Sequence, residues 1–301
     1  MVLAPLDESL APQQRAETTV ALSALMMKIA THIICYTLVD YQEQLGDERL
    51  SIAHAFLQRV TTTHMCNHKL TAEGLVWEYK GETFRLHEEY KTMTLTRTVY
   101  EHLAMFYFLF ERPKTDEERS IVWKCWQINS MKNLLDDDEE LDDDGQRQEL
   151  LAQIGQWRSE IFATPLGQQC RRRLDEWTSP DTHATNTCVE FVENGTGRYE
   201  ARRVSYSQAW KYLFANDDMA VLYRHLSMHS HPAYGGLIQY QAQSEADQGF
   251  EGIPLYLSTC LLAYLCKLFL KLIPGGSNIV SREFSEHDRR LFQSMAQLPR
   301  E

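Results

Sequence analysis

Wound at 3.6 residues per turn, residues 14–45 place Val20, Leu25, Met26, Ile29, Ile33 and Leu38 on one wide apolar stripe. Gly46 ends that helix and Asp47 is placed to cap the next, which carries Leu50, Ala53, Phe56, Leu57 and Val60 as far as Thr63. There the helical period breaks. Trp77, Tyr79, Phe84 and Leu86 flank Lys80-Gly81, a spacing that predicts a short hairpin or an irregular excursion. Helical spacing returns over 92–111, and from Leu103 to Phe110 the segment is apolar on every face, which assigns it to the centre of the fold. Pro113 stops it. Thr115 and Glu118 then stand at the spacing of a capping box, at the head of a helix over 115–135. Further helices follow near 146–163 and 165–177.

Residues 178–204 are polar and turn-rich, and Asn194-Gly195 predicts a second hairpin inside them. Ser205 and Gln208 repeat the capping-box spacing, and a helix runs on through Trp210, Leu213, Phe214, Tyr223 and Leu226 until Pro232 and Gly235-Gly236 stop it. The segment 253–273, "IPLYLSTCLLAYLCKLFLKLI", is long enough to cross a membrane. Lys267 and Lys271, the polar Ser258-Thr259 pair, Pro254 at the start and Pro274-Gly275-Gly276 at the end favour a buried core helix instead. No internal repeat is present. The pattern predicts an all-α protein: a single helical-bundle domain over 1–301, with about eight helices and minor β-hairpin excursions.

Charge changes this picture little. The run at 136–144 holds eight carboxylates and so supplies most of the net charge of −12; it reads as a solvated acidic loop over 136–145. The rest of the surface is close to balanced and leaves room for basic clusters, at Arg171–Arg173 and at Arg198, Arg202 and Arg203. Seven cysteines are scattered without a CxxC pair, which excludes a disulfide framework and a four-cysteine zinc site. They read as small buried hydrophobes in a reducing cytoplasm. "MVLAPLDESLAPQQRAE" lacks the basic-then-apolar pattern of a secretory leader. A soluble, cytoplasmic protein is expected.

The motifs exclude several chemistries. None of the eleven histidines has Glu three residues before it, and HExxH is absent. His64, Cys66 and His68 in "HMCNH", and His229 and His231 in "HSH", are dense in ligand types, but alternate spacing does not share a helix face. The acidic run has Leu151 where a calcium loop needs its bidentate glutamate. The nucleophile elbow, the P-loop and the dinucleotide-binding glycines are also missing. Neither a metal nor a cofactor is expected. Two helical i,i+4 pairs remain, Arg97 with Glu101 and Ser227 with His231. They admit two readings: a structural ion pair completed by the serine and histidine, or a polar pocket between helices that receives a ligand.

"LTRTVYEHLAMFYFLFERPKTDEERSIVW" at 95–123 and "YRHLSMHSHPAYGGL" at 223–237 together resemble an uncharacterised bacterial family of helical proteins. Its members pair an Arg-x-x-x-Glu helix with a later Ser-x-x-x-His-Pro helix end, here Arg97, Glu101, Ser227, His231 and Pro232. The resemblance implies no activity, but it does imply that the two pairs are neighbours in space. Arg224 with His229 or His231, beside the polar His225, also resembles the HEPN-like superfamily, whose ribonuclease members carry Arg-x(4–6)-His at a helix end. That resemblance implies metal-independent RNA cleavage in a toxin or phage-defence setting, with Arg224, His229 and His231 catalytic. The arginine would hold a phosphate and a histidine would move protons near its ordinary pKa of about 6.5. Arg97, Glu101 and Ser227 would support the pocket. The implied partner is RNA, with a second copy of the chain as a further candidate and neither DNA nor a membrane. The alternative is a non-catalytic helical scaffold or a small-ligand binding module.

Overall fold

A computed structural model of the chain describes residues 12–86, 89–136, 144–185, 187–214, 223–224, 226–227 and 252–297. In chain order the elements are α1 (Pro12–Asp40), a 3-10 turn (Gln44–Gly46), α2 (Glu48–Ala72), β1 (Leu75–Tyr79), β2 (Glu82–Leu86) and α3 (Glu89–Phe106). A π turn (Tyr107–Glu111) extends α3, and then come α4 (Asp116–Asp136), α5 (Asp144–Ala163), α6 (Pro165–Gln169) and α7 (Arg171–Thr178). β3 (Thr187–Glu193), β4 (Tyr199–Ser205), α8 (Tyr206–Leu213), α9 (Ile253–Leu272), α10 (Ser277–Glu283) and α11 (Glu286–Met295) complete the described elements. The fold is all-α, and among the described residues the β structure is two antiparallel hairpins. The chain gathers into two compact units, one of Met1–Ala104 with Trp210–Glu301 and one of Met105–Ala209.

The local punctuation follows the sequence. Asp47 caps α2 by accepting from the Leu50 amide at 3.0 Å. Thr115 Oγ1 accepts from the Glu118 amide at 3.1 Å, while the Glu118 carboxylate reaches back to the Lys114 amide at 2.6 Å. Gln208 Oε1 likewise accepts from the Ser205 amide at 3.0 Å. The first hairpin turns on Lys80 and Gly81, both at positive φ (53° and 79°), the two left-handed residues that a tight hairpin turn demands. The second closes over 194–198, where the Asn194 amide donates to the Arg198 carbonyl at 2.9 Å.

The 105–209 unit packs α4 against α5, α7 and the β3–β4 hairpin. Its core includes Ile121, Cys125, Ile128, Ile154, Ile161 and Leu174. Among the described residues three charged side chains are buried in this unit, each with partners: Glu118 in the cap just described, Glu190 and Lys132. Glu190, its side chain 2% exposed, accepts from Arg112 Nη2 at 3.0 Å. Lys132 Nζ donates to the Trp177 carbonyl at 3.2 Å and to Thr182 Oγ1 at 2.6 Å. Burial pushes the Lys132 pKa down. Of the expected acidic loop, α4 reaches Asp136 and α5 begins at Asp144; residues 137–143 lie outside the described residues.

The other unit is organised by α1, α2 and α9, which pack on one another. Both α1 and α9 are long and apolar enough to cross a membrane, but 83% of the apolar stretch of α9 is buried inside the protein, against 33% for α1. Within its unit α9 is a core helix. It ends where Gly275 takes a φ of +72°, which would strain any other residue, and where a Cβ on Gly276 would lie 2.2 Å from the Leu270 carbonyl oxygen and collide with the backbone.

At the centre of these three helices the core is polar. His64 is fully buried, with Nε2 2.9 Å from Ser23 Oγ of α1 and Nδ1 2.6 Å from Ser258 Oγ of α9. A neutral imidazole has one N–H and one lone pair, so it donates to one serine and accepts from the other. His68, one turn further along α2, places Nδ1 2.9 Å from the same Ser23 oxygen. Here the structure departs from the sequence reading: α2 does not stop at Thr63 but runs to Ala72. Its inward face simply turns from apolar to polar, through the buried His64 and Asn67. The cysteines depart too. Cys125, Cys170, Cys188, Cys260 and Cys266 are buried, but Cys35 on α1 and Cys66 on α2 are exposed.

Burial, reinforced by His68, drives the His64 pKa from 6.5 down to about 3. Burial also lowers the pKa of His54, His68 and His102. In each case the unfolded chain binds a proton that the folded chain refuses. Stability is therefore complete above pH 6.5 and declines as the pH falls through the interval down to about 3. Urea unfolding should show a midpoint that drops steadily from neutral pH to about pH 4, with a shallower drop in His64→Ala. That variant should also lose about 2–4 kcal/mol at neutral pH, because it leaves a cavity, strips buried Ser258 of its imidazole partner and leaves Ser23 with His68 alone. A wild-type midpoint that does not move with pH would contradict a neutral His64 in the core.

Candidate functional site

Winding residues 89–106 as helix brings Arg97 and Glu101 together on one face of α3. Arg97 Nε donates to Glu101 Oε1 at 2.7 Å, and the two side chains remain 22% and 26% exposed. Tyr223 closes the cluster. Its hydroxyl donates to the same Glu101 oxygen at 3.0 Å, and its ring lies under the Arg97 guanidinium at 5.8 Å.

Tyr223 is held by an aromatic shelf. Tyr100, on the turn between Arg97 and Glu101, stacks on Trp210 with centroids 4.1 Å apart and planes 10° apart. Tyr223 leans on both rings, 5.1 Å from Tyr100 and 6.0 Å from Trp210, and Phe214 extends the shelf beyond Trp210 at 4.4 Å. All four rings are buried. One turn beyond Tyr223, Ser227 is half-buried, with its Oγ shielded from solvent beside the tyrosine hydroxyl.

The electrostatics follow from this packing. Burial works against the charge of Arg97, but the hydrogen bond and the charge of Glu101 outweigh it and raise the pKa. Burial and the Glu101 charge raise the Tyr223 pKa, keeping its hydroxyl protonated. The cluster thus holds an oriented guanidinium and two hydroxyls around one carboxylate that is already engaged. Chemically it is equipped to bind and orient an oxygen-bearing group.

The structure brings Arg97, Glu101 and Ser227 together through Tyr223, a residue the sequence presented as one more apolar position on its helix. Its spacing of four from Ser227 was the available signal. Arg224, next to Tyr223 in the chain, is exposed. His229, His231 and Pro232 lie outside the described residues. Of the basic clusters, Arg171 rests on Phe162 at 5.1 Å, Arg203 on Trp177 at 5.0 Å, and Arg202 pairs with Glu200 at 2.9 Å, all within the 105–209 unit. Among the described residues, no group of three or more His, Cys, Asp and Glu is placed to hold a metal ion.

Fold and cluster together define an all-α protein with a polar cluster set on aromatic rings. Residues 87–250, just over half of the chain, match the family of unknown function DUF5677, and the chain belongs to that family. The match includes Arg97, Glu101, Tyr223 and Ser227 and names no activity; no HEPN relationship is shown. Neither a curated protein nor a solved structure matches the chain.

Because Glu101 serves two donors, removing its charge strands a half-buried guanidinium. Glu101→Gln should lower stability by about 1–2 kcal/mol, and Tyr223→Phe by about 1 kcal/mol. A double-mutant cycle on the two should return a coupling of about 1 kcal/mol. Strict additivity would mean that the tyrosine hydroxyl and the carboxylate do not act as a unit.

Proposed function

We propose that the protein is a helical ligand-binding module whose ligand presents a carboxylate or phosphate to the Arg97 cluster. The observation that carries this reading is the way Arg97 is held. Its Nε is committed to Glu101 and its plane rests on Tyr223, yet its side chain is still about a fifth exposed. A guanidinium fixed before the ligand arrives loses little further rotamer freedom on binding, and hydrogen bonds to ionised groups are the strong ones. The Ser227 hydroxyl lies beside it as a neutral donor, while the Tyr223 hydroxyl spends its one proton on Glu101 and keeps that carboxylate in place.

A different observation supports a second reading. Arg224 is exposed on the turn beside the cluster, at the position where the HEPN-like pattern carries its arginine. In this reading Arg224 holds an RNA phosphate and His229 or His231 moves the proton, without metal, in the toxin or phage-defence setting that the resemblance implies.

One set of measurements tests both. Thermal melting against a panel of small carboxylates and nucleoside monophosphates should show stabilisation by at least one class, and Arg97→Met should abolish it with the circular dichroism spectrum unchanged. Flat melting curves across the panel would count against the binding module. Labelled single-stranded RNA incubated with the protein in EDTA addresses the second reading. Cleavage lost in both Arg224→Ala and His231→Ala would establish it, and intact RNA with the wild type would remove it.

A further inference from the structure

A second site stands apart from the Arg97 cluster, in the same unit but beyond the residues that match the family. A cavity of about 570 Å³ opens between the C-terminal end of α9, α10 and α11. Its apolar lining comes from Leu270, Ile273, Val280, Phe292 and Ala296, all buried. Three cations also line it: Lys267 and Lys271, one turn apart on α9, and Arg289 on α11. Ser277 and Ser281 add hydroxyls, and among the described residues no Asp or Glu lines the cavity.

The dipole of α9 accounts for two lysines near its C-terminal end. It does not account for Arg289, which comes from a different helix and whose Nε is buried without a hydrogen-bond acceptor. A buried guanidinium N–H normally has an oxygen to bind. The volume lies in the range of small-molecule pockets, which combine an apolar wall with a few convergent polar groups.

We propose that this cavity binds a small amphiphilic anion: a carboxylate or phosphate head received by Arg289 and the two lysines, with an apolar body laid on Leu270, Val280 and Phe292. The head supplies the acceptor that Arg289 Nε lacks, and the body removes apolar surface from water. A cation would meet three like charges, and a polar anion without a body would leave the lining wet.

Isothermal titration and thermal melting of the full chain test this with octanoate and octyl phosphate, and with inorganic phosphate, octanol and octyltrimethylammonium as controls. The two octyl anions should bind and raise the melting temperature, and the three controls should not. Arg289→Gln and the exposed Lys271→Gln should each weaken octyl-phosphate binding by about tenfold or more, the loss expected for one charge-assisted hydrogen bond. Lys271→Gln keeps the test sound if Arg289→Gln fails to fold. In an Arg97→Met background octyl phosphate should still bind and Lys271→Gln should still weaken that binding about tenfold, which separates this site from the cluster on α3. Absence of binding, equal binding of octyltrimethylammonium, or undiminished binding by Lys271→Gln would overturn the proposal. So would binding to phosphatidylglycerol vesicles without binding of free octyl phosphate, because the cations would then serve a lipid surface and not an enclosed ligand.

Discussion

The three-helix packing of α1, α2 and α9 depends on one imidazole. His64 has no water to turn to, so both ring nitrogens must find partners on the neighbouring helices, and they find Ser23 on one side and Ser258 on the other. Apolar packing alone tolerates small rotations and slides of one helix on another. Hydrogen bonds of 2.9 and 2.6 Å at opposite ends of a rigid ring do not. The polar centre therefore sets the rotation of each helix, while the surrounding leucines and isoleucines supply the bulk of the favourable burial.

The same face of α2 reaches the candidate site. Asn67, three residues after His64, donates from Nδ2 to Thr96 Oγ1 at 2.9 Å. Thr96 in turn has its hydroxyl proton to share between the Thr92 carbonyl at 2.7 Å and the Pro254 carbonyl at the head of α9 at 2.9 Å. Thr96 immediately precedes Arg97, so pinning its side chain inward fixes the phase of α3. Arg97 and Glu101 are left on the half-exposed flank where Tyr223 meets them. Core and cluster are consecutive steps of one hydrogen-bonded framework.

What the sequence disclosed and what it concealed divide along this line. Caps and turns were legible because their chemistry is local: Asp47, Thr115 with Glu118, and Lys80-Gly81 act on backbone a few residues away. The Arg97–Glu101 pair was legible for the same reason. The end of α2 was not, because reading burial from hydrophobicity fails where the buried face is His64 and Asn67. His64 and His68 were weighed with Cys66 as alternate residues, whereas their spacing of four is what places both against Ser23. Tyr223 was missed because Arg97 and Glu101, the charged pair it joins, lie more than a hundred residues away in the chain. Distant pairing leaves no periodic trace.

The cysteines give the protein an internal reporter. Cys35 and Cys66 face solvent, while Cys125, Cys188 and Cys260 are sealed in the interior, their pKa values pushed up to about 12. A thiol reagent needs both contact and thiolate, so the interior sulfurs are doubly protected. Alkylation of the folded chain would thus mark α1 and α2 alone, and each additional adduct would register the opening of a particular interior. Cys260 and Cys266 report on α9, and Cys125, Cys170 and Cys188 on the 105–209 unit. Mass spectrometry of the adducts would then time the loosening of the two units separately, without an introduced label.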